Sequence, residues 1–132
     1  MAAPSSTARP KILVVEDEDE VRAMITRILG TFGDVTAARD GKEAMGLLLG
    51  TLSPDLIVTD LMMPRMDGLS LAKEIKKHPQ LARLPVVMLT ARSRPGDMIE
   101  GINAGARSYV TKPFKADDLI AKVKKALGLP PK

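Results

Sequence analysis

Two hydrophobic patterns alternate along the chain, continuous apolar runs and a helical period. Short apolar-rich runs, KILVV (11–15), DVTAA (34–38), DLIVT (55–59), PVVMLT (85–90) and SYVT (108–111), read as strands. Between them the apolar positions recur every three or four residues. Val21, Met24, Ile25, Ile28 and Leu29 stand at i, i+3, i+4, i+7 and i+8, one face of an amphipathic helix that Gly30 and Gly33 help to end. KEAMGLLL (42–49) and LSLAKEIKKH (69–78) predict a second and a third helix, the latter stopped by Pro79. GDMIEGINAG (96–105) predicts a fourth, and ADDLIAKVKKAL (116–127) a fifth that Gly128, Pro130 and Pro131 close. Gly101 inside the fourth costs about 1 kcal/mol relative to Ala, so this helix is expected to be the least stable. Strand and helix thus alternate five times. With near-continuous apolar strands, that order predicts an α/β fold: a (βα)5 doubly wound parallel five-stranded sheet, covered on both faces and joined by right-handed crossovers.

The first ten residues, MAAPSSTARP, are small, polar and Pro-containing, and read as a disordered leader. The domain is expected over 11–128, with a short tail at 129–132. At 132 residues, 45% hydrophobic and 27% charged, the chain suits one domain that buries roughly two-thirds of its unfolded surface. The absence of Cys excludes disulfides and thiolate chemistry. Nothing resembles a signal segment or an apolar membrane span, so a cytoplasmic protein with no membrane association is expected. The net charge of +4 hides an asymmetry, since residues 16–20 read EDEDE whereas Lys112 onward holds six Lys against two Asp. The basic end lacks aromatic interleaving and a recognition-helix pattern, which argues against direct nucleic-acid binding.

In parallel sheets ligands bind beyond the carboxyl ends of the strands. Glu16 and Asp17 follow the first strand, Asp60 the third and Lys112 the fifth, while Thr90 ends the fourth, so one edge collects them all. Asp60 poses the sharpest question, because a carboxylate closing a buried strand requires a cation or a cap. Glu18, Asp19 and Glu20 are assigned instead to a helix start, where acids favour the positive end of the dipole.

In ILVVEDE (12–18), DLIVTDLMMPRMDG (55–68), PVVMLTA (85–91) and AGARSYVTKPF (104–114) the chain resembles the response-regulator receiver domain over about 11–127. The resemblance implies a flavodoxin-like sheet of strand order 2-1-3-4-5. It implies that Asp60 accepts a phosphoryl group from a histidine kinase or histidine phosphotransfer protein. Glu16, Asp17, Asp60 and the backbone carbonyl of Met62 would hold a divalent cation. It further implies that Lys112 and Thr90 serve the phosphoryl group, that Thr90 and Tyr109 form a switch, and that the Lys112–Pro113 bond is cis. The output surface would be the fourth helix, fifth strand and fifth helix, where Lys122, Lys124 and Lys125 would meet a protein partner. Such a domain is a signalling module that assists only its own phosphorylation and dephosphorylation, not an enzyme.

Elementary physics agrees with these assignments. Two carboxylates about 4 Å apart repel by roughly 4 kcal/mol at an effective dielectric of 20. A metal relieves the conflict, and oxygen-only ligands favour Mg²⁺, with Mn²⁺ as a substitute. In the implied order Thr90 reaches across one strand spacing of about 4.8 Å and Lys112 across roughly twice that, which suits a short and a long side chain.

Other candidates have ordinary explanations. His78 reads as a solvated or dipole-facing residue at a helix end. Met62, Met63 and Met66 read as loop packing, Asp67 as a helix N-cap and Asp55 as a residue that starts a strand. Met62 and Arg92 occupy positions where the family tunes phosphoryl lifetime. A Mg²⁺-dependent phosphatase of the haloacid dehalogenase kind would need a second Asp where Met62 stands. A dinucleotide-binding module would need glycines in place of the acids after the first strand. Two receiver readings stay open: a stand-alone regulator, and a receiver cut from a longer regulator with a DNA-binding or enzymatic output.

Overall fold

Side chains alternate between the two faces of a strand, so each apolar run here must feed two cores at once. In a computed structural model of the chain, residues 9–61, 63, 66–91 and 105–129 are described. They form five strands and four helices: β1 (Lys11–Val15), α1 (Asp19–Leu29), β2 (Asp34–Ala38), α2 (Gly41–Leu49), β3 (Leu56–Asp60), α3 (Gly68–Lys77), β4 (Val86–Ala91), β5 (Ser108–Lys112) and α4 (Ala116–Leu127). All pairings are parallel and the order is β2-β1-β3-β4-β5, which is the doubly wound arrangement expected. Met62, Arg92 and nearly all of the fourth predicted helix lie outside the described residues.

Leu13, Val15, Ile57, Val86 and Met88 point to one face, where they pack with Ala44, Leu48, Leu71 and Ile75 of α2 and α3. Ile12, Val14, Leu56, Val58, Val87 and Leu89 point to the other, against Ile25 and Leu29 of α1 and Leu119 and Val123 of α4. Among the described residues, two helices therefore cover each face. No described helix is long and apolar enough to cross a membrane.

Each of the last three strands runs one residue further than its apolar run. The backbone ladder continues through polar residues because its hydrogen bonds do not depend on side-chain polarity. Asp60 pairs in register with Leu89, and Lys112 with Ala91, so both functional candidates belong to the sheet itself. Asp55, just before β3, accepts a hydrogen bond from the Lys11 N–H at 2.8 Å and ties that strand to the start of β1.

The helix ends follow local chemistry. Asp40 and Asp67 cap α2 and α3 by accepting from the N–H groups of Glu43 and Ser70, each at 2.8 Å. Gly128 ends α4 with φ +76°, a left-handed conformation that Gly adopts freely; the Leu129 N–H reaches back to the Lys124 carbonyl at 2.8 Å. At the end of α1, Arg9 donates to the carbonyls of Gly30 at 2.6 Å and Gly33 at 2.9 Å and pairs with Asp34 at 3.0 Å. The Pro10 carbonyl accepts from the Asp34 N–H at 2.8 Å. Arg9 and Pro10, which composition places in the leader, are thus attached to the fold.

The sheet centre should dominate stability. Leu13 is 0% exposed in β1 and Leu49 is 53% exposed at the end of α2. Leu13→Ala is expected to destabilise by about 2–5 kcal/mol and Leu49→Ala by less than about 0.5 kcal/mol. Urea unfolding followed by far-ultraviolet circular dichroism checks this, and similar losses in the two variants would contradict the layering.

Candidate functional site

Parallel strands deliver their carboxyl ends to one edge, and there polar residues at or just beyond the ends of β1, β3, β4 and β5 gather. The chain leaves β1 with the Glu16 N–H bonded to the Ala38 carbonyl at 3.0 Å, which fixes the start of the acidic connection. Glu16 is 0% exposed. Its Oε2 accepts from the Glu18 N–H at 3.1 Å, and its Oε1 lies 3.2 Å from Lys112 Nζ. The same Nζ lies 3.3 Å from Asp60 Oδ1. β4 separates β5 from β3, so Lys112 crosses a whole strand to reach Asp60, as its length allows. Asp17 is half-buried and completes a group in which one carboxylate oxygen each from Glu16, Asp17 and Asp60 lie within 4.8 Å of one another.

One ammonium therefore faces two carboxylates, with a third alongside. Burial, and after it the Asp60 charge, pushes the Glu16 carboxyl from 4.5 up to about 7, although the Glu18 N–H and Lys112 favour its charged form. Burial alone would pull the Lys112 ammonium down, but the charges of Asp60 and Glu16 outweigh it and hold the group above its ordinary value. Glu16 thus resists ionisation even with Lys112 in contact. Among the described residues, three carboxylates thus gather around a single ammonium.

That imbalance is the test of whether a divalent cation fits, and the residues fit one. The donors are all carboxylate oxygens, which suits a hard cation such as Mg²⁺. Both oxygens of Glu16 already have protein partners, whereas among the described residues nothing pairs with the Asp17 carboxylate. Asp17 is therefore the freer ligand.

Thr90 sits beside Asp60 on the next strand, one residue beyond the Asp60 partner Leu89. It is 1% exposed, and its Oγ1 is buried without a hydrogen-bond partner among the described residues. A buried hydroxyl left unbonded is a donor in reserve. Tyr109 is half-buried on β5, in register with Met88, and packs against the core of the α2–α3 face. Lys122 Nζ stands 5.9 Å from the centre of its ring. The Lys112–Pro113 peptide is cis. The structure thus brings together Glu16, Asp17, Asp60 and Lys112, and places Thr90 on the adjacent strand end; Met62 lies outside the described residues.

The remaining candidates keep their ordinary roles. Glu18 precedes α1, and Asp19 and Glu20 occupy its first turn. Met63 and Met66 pack on the core, and His78 ends α3. Two supporting residues are not evident from the sequence pattern. Arg22 donates from Nη1 to the Glu16 carbonyl at 3.0 Å. Gly68 lies beneath Asp60: a Cβ there would stand 2.5 Å from the Asp60 carbonyl oxygen and 2.8 Å from Met88 Sδ.

Known proteins resemble this chain in sequence and in fold. The profile of the response regulator receiver domain matches residues 12–124. The chain is 39% identical over 119 residues to the phosphate regulon transcriptional regulatory protein PhoB of Rhizobium meliloti, covering 89% of this chain and 52% of that protein. It is 36% identical over 119 residues to the DNA-binding dual master transcriptional regulator RpaA of Synechocystis sp., covering 89% and 49%. The chain thus spans about half the length of these curated relatives. Among solved structures, a putative response regulator from Chloroflexus aurantiacus superposes with TM-score 0.86 at 36% identity, covering 91% of this chain and 98% of that one. The chemotaxis response regulator CheY4 of Vibrio cholerae gives 0.83 at 29% identity, covering 90% and 99%.

The Gly68 contact predicts a sign. Gly68→Ala drives a methyl group into the backbone that carries Asp60 and is expected to destabilise by about 1–3 kcal/mol. Gly46, inside α2, has room, because a methyl group added there would meet nothing within 4 Å. Gly46→Ala is expected to stabilise by up to about 1 kcal/mol. Urea unfolding of the two variants measures both, and a neutral Gly68→Ala would mean that the loop yields and does not brace Asp60.

Proposed function

The chain belongs to the response regulator receiver domain family, and from that premise we propose that it is the phospho-accepting receiver of a two-component phosphorelay, with Asp60 as the acceptor. One observation carries this reading: Lys112 reaches across β4 to within 3.3 Å of Asp60 while Glu16 and Asp17 close the same edge. An Asp60 oxygen attacks phosphorus of a phosphohistidine on a histidine kinase or phosphotransfer protein. The phosphorus–nitrogen bond breaks, the imidazole leaves with its electron pair, and an acyl phosphate forms on Asp60.

Each neighbouring group has a part. Lys112 exchanges a carboxylate contact for a phosphoryl oxygen and offsets its charge. Thr90 donates its unpartnered hydroxyl to a second oxygen. Glu16, Asp17 and Asp60, with the Met62 carbonyl, would hold Mg²⁺ or Mn²⁺, which when bound neutralises charge on the phosphoryl group in transit. On this reading the domain assists its own phosphorylation and dephosphorylation and catalyses nothing else. It acts in the cytoplasm.

The output follows from Thr90 and Tyr109. When Thr90 turns to the phosphoryl group it vacates space on the face that Tyr109 shares, and Tyr109 moves inward. The surface of β5 and α4, with Lys122 and Lys125 beside Tyr109 and Phe114, then changes shape for a protein partner. A few kcal/mol of differential interaction suffices for such a shift. The half-length match to transcriptional regulators favours a second reading, in which this receiver works through a DNA-binding output in a longer chain. The codons after Lys132 separate the two: a stop supports the stand-alone regulator, and an open frame into a second domain supports the longer one.

Incubation with acetyl phosphate and Mg²⁺ tests the acceptor. Intact mass is expected to rise by one phosphoryl group, labile to hydroxylamine, and Asp60→Asn to abolish the gain. An Asn variant that still takes up the group would place the acceptor elsewhere. Beryllofluoride, which mimics the phosphoryl group, is expected to alter hydrogen exchange in β5 and α4; changes limited to α1 and α2 would remove that surface from the output.

A further inference from the structure

The two acids of the β1–α1 connection stand on a backbone that the sheet holds at the Glu16 N–H but whose carbonyls it leaves unsecured. β1 ends at Val15 and α1 begins at Asp19, so the carbonyls of Glu16 and Asp17 fall outside both regular ladders. Arg22, one turn into α1, folds back over them. Its Nη1 donates to the Glu16 carbonyl at 3.0 Å and stands 3.5 Å from the Asp17 carbonyl, a weaker contact. Its Nη2 donates to Asp19 Oδ1 at 2.5 Å, and its backbone N–H bonds to the Glu18 carbonyl at 2.8 Å. Every residue from Glu16 to Asp19 is thus touched by this one residue.

An i, i+3 ion pair on a helix surface would explain the Asp19 contact alone, and such exposed pairs contribute little. It does not explain the other arm of the guanidinium. The Arg22 side chain is 19% exposed whereas that of Asp19 is 86% exposed, so the guanidinium lies inward, over the connection. A planar fork holds the carbonyls with one nitrogen and the carboxylate with another in fixed directions, whereas the donors of an ammonium radiate from a single nitrogen. We propose that Arg22 is a positioning residue for the cation site: it fixes the backbone from which Glu16 and Asp17 project, and through it sets the affinity for a divalent cation. The proposal rests on the reading of Glu16, Asp17 and Asp60 as that site.

Charge and position here act in opposite directions. A guanidinium over the backbone of Glu16 and Asp17 repels a cation arriving there, so a purely electrostatic Arg22 would weaken Mg²⁺ binding and its removal would tighten it. A positioning Arg22 does the reverse, because supporting groups behind metal ligands typically carry about tenfold or more of the affinity. The sign of one measurement therefore separates the two roles.

Mg²⁺ titration of the full chain, followed by amide chemical shifts, compares wild type with Arg22→Ala and Arg22→Lys. The Ala variant is expected to bind about tenfold more weakly. The Lys variant keeps the charge but loses the fork, and is expected to lose affinity in the same direction; it decides the matter if the Ala variant does not fold. In the metal-free proteins, hydrogen exchange of the Glu18 amide, which bonds Glu16 Oε2 at 3.1 Å, is expected to quicken in both variants while amides at the centre of β1 stay protected. Unchanged or tighter Mg²⁺ binding in both variants would overturn the proposal. A wild-type chain that binds no Mg²⁺ at millimolar concentration would instead overturn the site beneath it.

Discussion

Three carboxylates brought to one edge of a sheet must be neutralised, and much of this structure is arranged around that constraint. Lys112 meets part of it by crossing β4 to bridge Glu16 and Asp60 at 3.2 and 3.3 Å. The Glu16 carboxyl is held at about 7, chiefly by burial and then by the Asp60 charge, even with the Lys112 ammonium in contact. Among the described residues three carboxylates share one ammonium, a donor set that suits a further positive charge. On the proposed reading a divalent cation supplies that charge, and the phosphoryl group, which brings further negative charge, draws Lys112 and Thr90 toward itself.

The topology adds a second contribution. Helices joining parallel strands run antiparallel to them, so their N-termini gather at the carboxyl edge of the sheet. Those termini carry the positive ends of the helix dipoles, close to Glu16, Asp17 and Asp60. The same geometry sorts the surface charge: Asp19 and Glu20 start α1, and Asp117 and Asp118 start α4, whereas Lys76, Lys77, Lys124 and Lys125 lie in last turns. Close backbone contacts hold the edge in place. Gly68 leaves room beneath the Asp60 carbonyl, and the Gly41 N–H bonds the Met66 carbonyl at 3.0 Å, which ties the β3–α3 loop to α2.

Much of this was legible in the sequence because continuous apolar runs and near-3.6 patterns are local and strong. The strand order was not readable from periodicity, since nothing in an apolar run names its neighbour; it came from resemblance, and the sheet has that order. Asp60, Glu16, Asp17 and Lys112 could be singled out because polar residues closing apolar strands are conspicuous. Their contacts could not, because distances across a sheet depend on register. Arg22 and Gly68 escaped for a related reason: an Arg on a polar helix face and a Gly after Asp look like ordinary surface and capping residues until the backbone they touch is known. Arg9 escaped because the composition around it reads as leader, whereas its guanidinium caps the end of α1.

The central claim is that Lys112 and a divalent cation share one task, the neutralisation of the carboxylates. Unfolding of Lys112→Ala by urea, with and without Mg²⁺, tests it most directly. Ligand that binds only the folded state adds stability in proportion to the logarithm of its concentration over its dissociation constant, so tighter binding appears as a larger gain. The account predicts a variant less stable than wild type without Mg²⁺ and a larger gain from the metal than wild type shows. An equal or smaller gain in the variant would show that Lys112 and the cation do not answer the same charge, and would contradict the account.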